Sequence, residues 1–238
     1  MLTSFRTWLK LITIHEREEM KITKEQLRNW YACDSGYDWF LHRFPAGRAE
    51  YQDVLNALAE DDRPRDAYWL MDHVGPDSES VLEVKGSINC KHLFAAGNLV
   101  VKTDVDISKS LRAGGSIKAG GSIKVGHNIC AGYDIMARKN IRAGHNLKAG
   151  SSIEAGSSIE AGSNIEADSS IEAGRNIKAG YNILAGYGVE TGGDIEVSPD
   201  CGVFAGLKVN LPEWRFYAKV IARTKPDNLI SGWWVQHA

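Results

Sequence analysis

The feature that most constrains this chain is a six-residue period running from Leu93 to Ile195 without an insertion. Every sixth residue in that register is apolar, as at Ile117, Ile123, Ile129, Ile135, Ile153, Ile165 and Val189. Two residues further on lies a second apolar set, which is unbroken alanine from Ala131 to Ala185. Between the two sits an outward position that is usually charged. This in, out, in pattern is the period of a strand about three residues long. The other three residues supply a corner, commonly glycine, a variable residue, then Ser, Asn or Asp. Ser, Asn and Asp bond back to nearby backbone in turns, and glycine is expected to absorb positive φ there. A helix is excluded, because six is not a multiple of 3.6 and glycine recurs too often.

A chain that turns after every short strand buries its aliphatic side by stacking coil on coil. Coils of 12 residues would be two-sided, and coils of 18 three-sided. The 12-residue scheme aligns Asn128 with Asn140. At a spacing of 18, Asn128, Asn146, Asn164 and Asn182 form one column, His127 and His145 another, and Tyr133 and Tyr187 a third. Stacked asparagines can form hydrogen-bond ladders, which favours the longer coil. The expected fold is therefore mainly β: a three-sided parallel β-helix (β-solenoid) of about 18 residues per coil, with six coils over residues 93–200.

All seven tryptophans lie outside the repeat, so the flanks obey different physics. Residues 20–80 are expected to form a small N-terminal helical cap. Thr23 with Gln26 is a capping-box pattern, Ser35 can start a second helix, and Pro64 suits a first helical turn. Residues 210–238 are expected to form a C-terminal β-hairpin cap turning at Pro226-Asp227-Asn228, with the solenoid spanning 81–209. Both ends of the solenoid are thereby expected to be closed.

The net charge of -2 gives no argument for nucleic acid or for an anionic membrane. Four dispersed cysteines without a CxxC pair indicate neither a zinc site nor a disulfide framework, and a cytoplasmic setting is expected. Residues 1–19 read as a leader, with Met20 an alternative start. No apolar run reaches the roughly 20 residues of a membrane span.

The [SN]-I-x-A phrasing of SSIEA and SNIEA resembles that of the polymer-forming bactofilins, which implies filament formation. The repeat is also similar to hexapeptide-repeat acyltransferases, although here glycine follows the alanine set, as at Ala155-Gly156, and no loop projects to enclose a substrate. MKITKEQLRNWYACDSGYDWF resembles the helical leader of some phage proteins, which implies a mobile-element context.

No catalytic set, metal site or cofactor is expected: there is no Ser/His/Asp order and no phosphate loop, and His127 with His145 lacks a third ligand. The candidate surface is charged. Outward positions hold Arg112, Lys118, Lys124, Arg142 and Lys148, then Glu154, Glu160, Glu166 and Glu172, which reads as a basic lower half and an acidic upper half. Tyr133, Tyr181 and Tyr187 stand at corners as candidate anchors. The expected function is a non-catalytic structural or interaction protein binding a protein partner, either a host factor or a second copy.

Overall fold

The computed structural model describes residues 12–13, 20–77 and 79–237. The expected leader lies outside these residues apart from the short strand Ile12–Thr13. Residues 81–237 wind into a parallel β-solenoid of about nine turns, more than the six expected, because coils continue on both sides of the strict repeat. The step is 18 residues: Ile117 pairs with Ile135, Ile135 with Ile153, and Ile153 with Ile171.

Three walls result. The first contains Val81–Val84, Asn98–Val101, then the three-residue strands from Ile117–Ala119 to Val189–Thr191, and finally Lys219–Ala222 and Trp233–Gln236. Ile12–Thr13 adds to its lower edge in antiparallel sense. The second and third walls are one 13-stranded sheet, since Ile88–Ala95 and Val105–Ala113 run around the corner between them.

The two apolar sets form the core. The isoleucines from Ile117 to Ile183 are fully buried, and Ala131 to Ala185 are at most 8% exposed. Removing each isoleucine from water contributes on the order of 2 kcal/mol. At one corner Asn128, Asn146, Asn164 and Asn182 form the expected ladder. The Asn146 N–H donates to Asn128 Oδ1 (3.1 Å), Asn164 N–H to Asn146 Oδ1 (3.3 Å) and Asn182 N–H to Asn164 Oδ1 (3.0 Å).

The corner glycines serve a different purpose from the one expected. Positive φ among the described glycines is confined to Gly47, Gly75, Gly206 and Gly232, none of them in the regular corners. The corners need glycine because the backbone of the coil below is too close. A Cβ on Gly144 would lie 1.9 Å from the Gly126 carbonyl oxygen, and one on Gly162 2.1 Å from that of Gly144.

The C-terminal segments are not a hairpin. Lys219–Ala222 pairs in parallel with Val189–Thr191 below it and with Trp233–Gln236 above it, while Leu229–Ser231 lies on the third wall over Val203–Phe204. Residues 219–236 therefore add short coils, and the turn at Pro226 is a solenoid corner.

The N-terminal unit contains α1 (Lys24–Asn29), α2 (Asp34–Arg43), α3 (Tyr51–Glu60) and α4 (Pro64–Val74), with Lys21–Thr23 paired to Arg48–Glu50. Thr23 and Gln26 make the reciprocal capping box, and Pro64 opens α4. Helix α2 starts at Asp34 with Cys33 before it, and Ser35 instead accepts from Arg63 (3.1 Å). The unit docks against the base of the third wall. Phe94 and Ala96 leave the solenoid surface to join the helical core, and Gln52 clamps them through Phe94 O (2.8 Å) and Ala96 N–H (2.9 Å).

Candidate interaction surface

The outward positions separate by wall, and this changes the meaning of their charges. On the second wall the column reads Asp106, Lys124, Arg142, Glu160, Lys178, Glu196. It pairs internally, as Asp106–Lys124 (3.6 Å), Arg142–Glu160 (2.6 Å) and Lys178–Glu196 (2.9 Å). On the third wall Phe94 is covered by the helical unit and Arg112 is tied to Asp72 of α4. Lys148 there pairs with Glu166 (2.7 Å), which raises the lysine pKa, and Leu184 and Phe204 follow above. Each such exposed pair contributes little stability, but together they neutralise two walls.

The first wall is different. Its column reads Glu83, Val100, Lys118, Met136, Glu154, Glu172, Glu190, Ile221. Glu154, Glu172 and Glu190 stand one coil apart, at strand spacings of about 4.8 Å. All three are exposed, and no ion pair to a described residue relieves them. Partial burial, then the charges of Glu190 and Glu154, push the Glu172 pKa above its ordinary value.

The basic and acidic halves read from the sequence are therefore not two fields. Arg142 and Lys148 below are matched by Glu160 and Glu166 above, on their own walls. The remaining field is the acidic column of Glu154, Glu172 and Glu190. Glu190 was missed as a site residue, although its 18-residue spacing from Glu172 was legible.

The tyrosines divide too. Tyr133 (47% exposed) and Tyr187 (39%) share the corner between the third and first walls, beside the acidic column. Tyr217 meets Tyr187 edge-on at 6.2 Å, extending that aromatic ridge upward. Tyr181 (56%) lies at the corner between the second and third walls, above Ser163. His127 and His145 stack at that same corner, ring centroids 5.1 Å apart and both exposed.

Among the described residues no group of three or more His, Cys, Asp or Glu is placed to hold a metal ion. Burial pushes the Cys90 thiol up to about 12 and also raises Cys130, opposite to what an activated nucleophile needs. A charged cluster lies at the junction of the two units. Asp62 accepts from Lys91, Lys109 (2.9 Å) and His92 Nε2 (2.8 Å), and the first of these contributes most to holding its carboxyl well below the usual range. His92 is buried against Phe94, and this burial lowers its pKa despite Asp62. The cluster joins the helical unit to the solenoid, and it was missed because its four members are scattered over 48 residues of sequence.

No described helix is long and apolar enough to cross a membrane. Residues 20–74 match the family model described as YdhT N-terminal domain. The match covers the helical unit, the region whose first residues resemble a phage-type leader, and leaves the solenoid unmatched. No curated protein and no solved structure matches the chain.

Proposed function

We propose that the protein is a non-catalytic structural and interaction protein, a stiff three-walled rod that binds a basic protein partner along its first wall. The observation that carries this reading is the stack of Glu154, Glu172 and Glu190, without an ion pair to any described residue, while the other two walls neutralise their own charge. A stacked carboxylate column destabilises the free protein through mutual repulsion, and a cationic partner removes that repulsion. Tyr133 and Tyr187 on the adjoining corner supply apolar anchors of the kind that dominate binding energy.

The test is affinity capture from a lysate of the native host, comparing the wild type with Glu154→Lys/Glu172→Lys/Glu190→Lys and with Glu160→Lys/Glu196→Lys. The expected result is a basic protein retained by the wild type and the second-wall variant and lost, by tenfold or more, from the first-wall variant. Equal retention by all three would refute the reading. A second reading, end-to-end association of copies, draws on the parallel C-terminal coils and on exposed Ile230 and Trp233 near that end. Such association would survive the first-wall reversal.

A further inference from the structure

Two described non-glycine residues have left-handed backbone, Tyr31 (φ 58) and Asp62 (φ 56). Both stand one position beyond a helix C-cap. After α1, Ala32 N–H donates to Leu27 O (2.9 Å) and Tyr31 N–H to Arg28 O (3.0 Å); after α3, Arg63 N–H donates to Leu58 O (2.9 Å). This turn favours glycine, since a Cβ is strained there. Asp62 has an evident compensation in its bonds to Lys91, His92 and Lys109. Tyr31 has none: its side chain is 91% exposed and has no hydrogen bond or ring contact with described residues. A bulky residue thus occupies a strained position and returns nothing to its own fold.

Beside it lies an apolar groove of about 340 Å³, lined by Leu27, Trp39, Phe40, Leu58, Trp69 and Leu70, with Tyr31 and exposed Cys33 at its edge. A protruding aromatic next to a hole large enough for an aromatic ring is a self-complementary surface, the condition for a two-fold contact between identical chains. We infer that the occupant of this groove is Tyr31 of a second copy, exchanged reciprocally so that two helical units pair. This surface is separate from the first wall, so its test stands independently of the partner reading above.

The decisive variant is Tyr31→Gly, because strain and docking move in opposite directions. Sedimentation of the full chain over a dilution series should show a concentration-dependent dimer for the wild type. Tyr31→Gly should remain monomeric at concentrations where the wild type is mostly dimeric, while the Tm of its monomer rises by about 2–4 °C relative to the dissociated wild type. Alkylating Cys33 with N-ethylmaleimide, with the single adduct verified by mass, should likewise block the groove mouth and give monomer without a substitution. A wild type that stays monomeric throughout would overturn the inference. So would a dimer undiminished in Tyr31→Gly or after alkylation, or a Tm that falls in the glycine variant.

Discussion

At Gly144 the chain passes so close to the coil beneath that a methyl group has no room, yet the backbone angles there are ordinary. Lys102, Arg138 and Asp168 occupy equivalent corner positions, and their N–H groups bond the coil below at 2.9, 3.2 and 3.2 Å, within the 2.8–3.2 Å that the corner glycines span. Gly144→Ala should cost about 1–3 kcal/mol, read as a lowered urea midpoint, whereas Ser163→Ala at the variable position should be within about 0.5 kcal/mol of wild type. The sequence showed that glycine belongs in the corner but attributed it to positive φ. A spacing of six cannot distinguish a twisted backbone from a crowded one, because crowding depends on the neighbouring coil. The asparagine column was fully legible, since the Oδ1 atoms of Asn128, Asn146 and Asn164 each serve the N–H of the residue 18 positions on.

Walls are the natural element of this fold, and their charge logic follows from the same step. Reading every sixth outward residue as a single line mixes three walls and creates apparent basic and acidic halves; reading every eighteenth separates a paired column from an unpaired one. Glu172 has a pKa raised above its ordinary 4.5, so its ionised form is disfavoured in the folded state. Its contribution to stability is fully present below the unfolded value and is lost as pH rises through the folded value. Glu172→Gln should therefore have a higher urea midpoint than wild type at pH 7, and the difference should close as pH falls toward about 4.5. A difference independent of pH would show that neither burial nor the neighbouring carboxylates disfavours the ionised form of Glu172. The hairpin expectation failed at this scale for a plain reason: alternating apolar residues are the same in parallel and antiparallel strands. Direction is set by which strand lies alongside, here Val189–Thr191.

For the whole molecule, the period announced the solenoid and its 18-residue step, and the caps of α1 and α4 were visible as Thr23 with Gln26 and as Pro64. What joins the units was not visible. Asp62, Phe94 and Arg112 meet their partners across 29 to 47 residues of sequence, and no local pattern encodes such contacts. The assignment of walls, and with it the acidic column and its partner, depends on the coil being three-sided. Cys130 and Lys148 are register partners on adjacent strands of the third wall, within the Cα separation of about 4.4–6.8 Å that a disulfide spans. A two-sided coil would place Arg142 beside Cys130 instead. The most direct measurement is oxidation of Lys148→Cys and of Arg142→Cys, each in a Cys33→Ser/Cys201→Ser background, with the bond mapped by mass spectrometry. The structure predicts that Cys130 bonds the introduced thiol in Lys148→Cys and not in Arg142→Cys; the reverse outcome would contradict it.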